Sequence, residues 1–344
     1  MLYLTSEYPP RIGGVATHVA ELSTHVRRHG VEIEIVAPPA ANAADYDREH
    51  ANPDLVRYAP CIHAQPVYNY LLRRWCTRHV NRDLIDLVHV HGLRPLRAAL
   101  TLGVPVVFTN HTSGFLKAVA KGRLTKLRDL LAGCRFAIGP SEELLTALRK
   151  VGYSGPGCYL PNGVDTSRFS PANDSTLRAS WGLNADQLVV VIARRMVPKN
   201  GVLSAARALA LCAPHVRFVF AGDGPLHSEI DAVLRRTGCR DRAIMAGAIA
   251  NSLMPAVYGA ADLCLLPSLM EATSIAGLEA MACGKALIGT RVGGIPALIE
   301  DGITGALVPP NDPFALAAAV NAMADDRERL RQMGSAARQR ALRY

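Results

Sequence analysis

The sequence predicts two successive parallel α/β units, residues 1–165 and 166–344, each a Rossmann-like sheet with helices on its faces. Three observations carry that prediction. At 344 residues the chain is too long for one ordinary domain and suits two of about 150 to 180 residues. Short apolar, β-rich runs alternate with helical patterns from end to end. The alternation breaks at the turn residues Pro161-Asn162-Gly163-Val164-Asp165 and then starts again.

The first unit opens on a strand at Leu2–Thr5, followed by a Gly-rich turn and a helix from about Thr17 to His29, which Gly30 ends. Further strands are expected at Glu32–Ala37, Leu87–His91, Val104–Thr109, Phe136–Ile138 and Cys158–Leu160. The second unit has strands at Leu188–Ala193, Val216–Ala221, Ala243–Met245, Leu263–Leu266 and Ala286–Thr290. Its helices fall near 201–212, 225–237, 252–260, 275–283 and 313–324. Parallel sheets bind ligands at the carboxyl ends of their strands, so the loops that follow strands are where function is expected, in a cleft between facing units.

Hydrophobic content of 49% against 19% charged residues supports sizeable cores and argues against general disorder. No apolar run approaches the roughly 20 residues of a membrane helix. The start meets Glu7 and Pro9-Pro10 too soon for a signal peptide. Eight scattered cysteines without a C-x-x-C pair read as reduced thiols of a cytoplasmic protein, and structural zinc is not expected. The net charge of +9 divides as +5 and +4 between the units, so it singles out neither. Basic residues do cluster locally, as Arg73, Arg74, Arg78 and Arg82 around Trp75. Lys117, Lys121, Arg123, Lys126 and Arg128 lie among Phe115, Leu116, Val119, Leu124, Leu127 and Leu130. Both stretches suit either a solvated helix face or an amphipathic helix touching an anionic membrane. Basicity without a recognised motif gives no case for nucleic acid.

Four stretches carry the chemistry. Glu271 and Glu279 stand eight residues apart in Pro267-Ser268-Leu269-Met270-Glu271-Ala272-Thr273-Ser274-Ile275, the first in a loop and the second about two turns into an apolar helix. Between them the free amides of the helix start form an anion pocket. Gly13-Gly14 between a strand and a helix permits close backbone approach to a phosphate or sugar. His111 follows a strand directly, where a site residue belongs, while His89 and His91 read as core or supporting groups. Arg194, Arg195 and Lys199 end another strand and offer cations for a diphosphate.

Together these stretches resemble the retaining glycosyltransferases of family 4, which have the GT-B fold. Glu271…Glu279 matches the E-x7-E element, although Ala272-Thr273-Ser274 stands where the family usually reads G-F-G. Gly14 matches the N-terminal G-G-V loop, and Gly222 the strand-end G-x-G-P. Ala261-Asp262-Leu263, Gly293-Gly294-Ile295-Pro296 and Asp301-Gly302-Ile303-Thr304-Gly305 also fit. The family pattern R-L-x-x-x-K-G fits in two registers. Aligning Arg195-Met196 with R-L puts Asn200 at the lysine, whereas Arg194 lies at the correct distance from Lys199. We favour Arg195 and Lys199 as the working pair, with Arg194 beside the donor.

The resemblance implies transfer of a sugar from a nucleotide-diphosphate donor to an acceptor hydroxyl with retention, catalysed by His111, Arg195, Lys199 and Glu271. Gly14, Arg194, Gly222, Thr273, Ser274, Ile275 and Glu279 would bind the donor, Glu279 through the ribose diol. No metal and no cofactor are expected. Asp45-Tyr46-Asp47 is formally a D-x-D but reads as chance. Acceptor recognition would fall in the first unit, and a glycan, lipid-linked or small-molecule acceptor stays open. Family members continue past Tyr344 with a helix crossing back onto the first domain. The alternatives are a weak or inactive sugar-nucleotide-binding homologue and another GT-B enzyme, such as an epimerase or a phosphorylase.

Overall fold

A computed structural model describes residues 1–11, 13–40, 43–44, 47, 55–58, 64–111, 113–122 and 124–344, without the side chains of 113, 114 and 117. Ile12, Asp45, Tyr46, Cys61, Thr112, Arg123 and the Lys117 side chain therefore lie outside the described residues. Chain contacts divide the protein into Met1–Pro161 (unit 1) and Asn162–Tyr344 (unit 2).

Unit 1 is a seven-stranded parallel sheet: β1 (Leu2–Thr5), β2 (Glu34–Ala37), β3 (Leu55–Arg57), β4 (Val88–His91), β5 (Val106–Thr109), β6 (Phe136–Gly139) and β7 (Gly157–Tyr159). Its order is β3-β2-β1-β4-β5-β6-β7. β1, an inner strand, is buried along its whole length, as a strand covered on both faces must be. Leu2, Leu4, Val88, Val90 and Phe108 pack on one side with Tyr68, Leu72 and Cys76 of helix Gln65–His79. Tyr3 and Ile35 face the other side, against Val19 of helix Gly14–Arg28. Each such fully buried side chain contributes about 1.5–3 kcal/mol. β3 was not expected: it is three residues long, too short for a period-2 pattern to register.

The basic stretches are helices Gln65–His79, Ser113–Ala120 and Leu124–Leu131. In the latter two, Phe115, Leu127 and Leu131 are buried, while Lys121, Lys126 and Arg128 face solvent. Trp75 is stacked between Tyr58 and His79, and Arg73, Arg74 and Arg78 lie outward beside exposed Val67 and Tyr70. Asp47, the describable acid of the D-x-D, is paired with Arg57 at 2.6 Å.

Unit 2 is a six-stranded parallel sheet: β8 (Leu188–Ala193), β9 (Val216–Ala221), β10 (Ala243–Gly247), β11 (Leu263–Leu266), β12 (Ala286–Thr290) and β13 (Gly305–Val308), in the order β10-β9-β8-β11-β12-β13. The apolar runs of β8, β11 and β12 are buried throughout except at Ala193, with cores on both faces of the sheet. The last helix, Arg327–Ala341, is capped by Asp326 and lies on this unit. Its Arg338 donates to the carbonyls of Thr166, Phe169 and Ala282, at 3.0, 2.8 and 2.7 Å. Among the described residues no helix is long and apolar enough to cross a membrane, and the seven described cysteines are free thiols.

Candidate active site

The strand order of unit 2 reverses between β8 and β11. Loops leaving the carboxyl ends of those two strands diverge, and open parallel sheets hold ligands in the crevice so formed. The loop after β8 runs from Arg194 to Gly201, that after β11 from Pro267 to Ser274. They are stitched together by the Lys199 carbonyl, which accepts from the amides of Leu269 (2.8 Å) and Met270 (3.1 Å).

Gly201 makes this approach possible. It has φ 63°, and a Cβ there would stand 1.8 Å from the Pro267 carbonyl oxygen. Gly201→Ala combines left-handed strain with a backbone clash, and we expect it to cost about 2–4 kcal/mol. Thermal unfolding of the purified variant checks this, and an unchanged melting temperature would refute the close approach. Gly222 serves similarly. A Cβ there would meet the Arg194 carbonyl oxygen at 2.1 Å, while its own amide donates to Gly247 O at 2.7 Å.

Arg194 lies at the centre of the crevice. Its Nη1 is 2.6 Å from Glu271 Oε2, and the two side chains are only 10% and 14% exposed. Its Nη2 donates to Ser274 Oγ at 3.2 Å, and its buried Nε has no protein partner. Ser274 Oγ also accepts from the Gly277 amide at 3.1 Å, capping helix Ile275–Ala282. The first intrahelical bond runs from Leu278 N to Ser274 O. The amides of Ile275 and Ala276 therefore remain as donors at the helix start. A guanidinium, a helix N-terminus and an adjoining carboxylate can hold a diphosphate and sugar hydroxyls together.

The backbone favours one of the two Arg/Lys registers. Met196 is buried in the core and Gly201 opens the next helix, so Arg195-Met196 occupies the R-L position and Asn200 the lysine position. Asn200 is buried, and its Nδ2 donates to the Arg195 carbonyl at 2.8 Å. Arg194 is still in the ladder, its amide bonded to Ala221 O at 3.0 Å. Side chains alternate along a strand, so consecutive arginines face opposite ways. Arg194 turns inward to Glu271, whereas Arg195 faces solvent. Of the two arginines, Arg194 is therefore the one that meets Glu271.

Glu279 is buried, 4% exposed, in the helix that Ser274 caps. Its Oε1 accepts from Asn251 Nδ2 (2.9 Å) and its Oε2 from the Tyr258 hydroxyl (3.0 Å). Burial and the nearby carboxyl hold the Tyr258 phenol well above its ordinary pKa, so it stays a donor. Thr273 Oγ1 accepts from Asn162 Nδ2, which fixes the Ala-Thr-Ser loop from the segment after β7. Asn162, Asn251 and Tyr258 were not anticipated. Each is an ordinary polar residue remote in sequence from its partner, without a local signal.

Unit 1 reverses its strand order between β1 and β4. Gly14 opens the helix after β1, exposed, and His18 follows on its next turn. His91 ends β4 and His111 follows β5. His91 Nδ1 and His111 Nε2 are 3.1 Å apart, and the His18 ring stands edge-on to His111 with centroids 4.5 Å apart. His91, expected as a core or supporting group, is buried and in direct contact with His111. His89 keeps the supporting role, with Nε2 2.7 Å from Thr109 Oγ1. Burial pushes His18 down to about 4 and His89 to about 3, and His91 and His111 well below the ordinary value. All four imidazoles are neutral at pH 7.

Known proteins resemble this chain over nearly its whole length. The model for glycosyl transferases group 1 matches residues 173–340, and that for glycosyltransferase family 4 matches 12–168. A D-inositol 3-phosphate glycosyltransferase of Xylanimonas cellulosilytica is 27% identical over 96% of this chain and 88% of its own. A GDP-mannose-dependent alpha-(1-6)-phosphatidylinositol monomannoside mannosyltransferase of Mycolicibacterium smegmatis is 28% identical over 99% and 94%. Among solved structures, sucrose-phosphate synthase from Thermosynechococcus elongatus superposes with a TM-score of 0.85 at 22% identity, covering 99% of this chain and 94% of that one. Two parallel Rossmann-like units, with the family models and structural neighbours, place the protein among glycosyltransferases of GT-B fold. The chain belongs to glycosyltransferase family 4.

Proposed function

We propose that the protein transfers a sugar from a nucleoside diphosphate sugar to an acceptor hydroxyl with retention of anomeric configuration. The buried Arg194–Glu271 pair beside the Ser274-capped helix start is the observation that carries this reading. Arg194, Lys199 and the amides of Ile275 and Ala276 take the diphosphate and stabilise it as it leaves. Glu271 takes hydroxyls of the transferred sugar, and Glu279 the ribose diol. On the family resemblance, His111 serves the sugar and Gly14 the donor phosphate or the acceptor. With no side-chain nucleophile assigned, the acceptor attacks on the leaving-group face and the departing phosphate takes its proton.

The names of the relatives, one acting on D-inositol 3-phosphate and one dependent on GDP-mannose, put an inositol phosphate acceptor and GDP-mannose first among candidates. The outward arginines of helix Gln65–His79 beside Val67 and Tyr70 suit an anionic membrane surface, and so a lipid-linked acceptor at the cytoplasmic face. UDP-, GDP- and ADP-sugars, each with and without myo-inositol phosphates or phosphatidylinositol vesicles, test the reading by release of nucleoside diphosphate. Release from one donor, lost in Glu271→Gln, supports it. Tight binding of a nucleoside diphosphate without turnover favours the inactive homologue, a reading that Asn200 at the lysine position keeps open. No binding overturns the sugar-nucleotide assignment.

A further inference from the structure

We propose that His18, His91 and His111 form a binding site for a borderline divalent transition metal, with Zn2+ the ion its geometry suits best. One ligand nitrogen from each ring lies within 4.8 Å of the other two. Tetrahedral Zn2+ with Zn–N of about 2.0–2.1 Å requires nitrogens roughly 3.3–3.4 Å apart. The His91 Nδ1 to His111 Nε2 separation of 3.1 Å already supplies one edge of that tetrahedron. His18 completes the face by a small side-chain rotation. Its ring already packs edge-on against those of His91 and His111, with centroids 5.8 and 4.5 Å away.

The donor chemistry narrows the ion. Three imidazoles without a carboxylate or thiolate exclude the hard cations Ca2+ and Mg2+ and favour Zn2+, Co2+ or Ni2+. The rings come from three elements, the helix after β1, the end of β4 and the loop after β5, so the rigid sheet holds them together before any ion arrives. Three protein ligands leave a fourth position for water or another ligand. This site needs none of the donor chemistry proposed above. Should His111 also serve the transferred sugar, the ion and the sugar compete for one imidazole and Zn2+ inhibits.

The test uses the full chain, freed of metal by chelator dialysis, and no donor. Zn2+ is titrated against a chromophoric chelator, and Co2+ is followed by its visible d–d bands. The expected result is one ion per chain, with affinity at least tenfold weaker in His18→Ala and in His18→Gln. His25→Ala, on the same helix, should bind as wild type does. Far-UV circular dichroism confirms that each variant is folded. Absence of one-to-one uptake, or uptake equally strong in both His18 variants, would overturn the proposal and leave the three rings as a packed histidine cluster.

Discussion

Arg194→Ala is expected to lower sugar transfer by about a hundredfold to a thousandfold, the usual effect of removing one preorganised donor from developing charge. The reason lies in the pair it makes. Arg194 Nη1 is 2.6 Å from Glu271 Oε2, both side chains are largely buried, and Nε has no hydrogen-bond partner among the described residues. Glu271→Gln should fall by a similar factor. The two residues act as one unit, so the double variant should be little worse than either single one. Arg194→Lys keeps the charge but loses the fork that reaches both Glu271 and Ser274, and should recover only part of the rate. Arg195→Ala, at a solvent-facing position without a carboxylate partner among the described residues, is expected to cost no more than about tenfold. Single-turnover rates for the five variants check the ranking. A larger loss in Arg195→Ala than in Arg194→Ala would reverse the assignment.

Glu279→Ala should destabilise unit 2 by roughly 2–4 kcal/mol, because a buried acceptor is removed and a cavity left. The loss falls unevenly. Tyr258 can fall back on the Ala276 carbonyl at 3.2 Å, whereas Asn251 Nδ2 loses the acceptor that it has at 2.9 Å. Glu279→Gln separates packing from binding. The amide oxygen still accepts from Asn251 and the NH2 can donate to the Tyr258 oxygen, so melting should shift little. A carboxylate that also holds a ribose diol would, however, be missed, and donor KM should rise about tenfold with kcat nearly kept. Calorimetry together with donor KM decides the point. An unchanged KM in a stable Glu279→Gln protein would make the residue purely structural.

Strands were legible wherever an apolar run was four residues or longer. Leu2–Thr5, Leu188–Ala193, Val216–Ala221, Leu263–Leu266 and Ala286–Thr290 stand where the pattern put them. β3 and β13 were missed, the first for its three-residue length and the second because Gly305 opens it behind a turn. Of the candidate site, the loops were legible, since strand ends and the E-x7-E spacing are local. The direction of Arg194 against Arg195 was not, because a shift of one residue at a strand end exchanges inward and outward faces without changing composition.

The sequence by itself determined the two parallel α/β units, the family, and the loops in which function lies, because hydrophobic period and motif spacing are properties of contiguous residues. Tertiary structure decided which guanidinium meets Glu271, that Asn251 and Tyr258 hold Glu279, and that His18, His91 and His111 share one place. Those contacts join residues as few as 20 and as many as 93 positions apart, brought together only when strands order themselves in the sheets. Sequence period records the face a residue takes; its partner on another element depends on how the chain folds back.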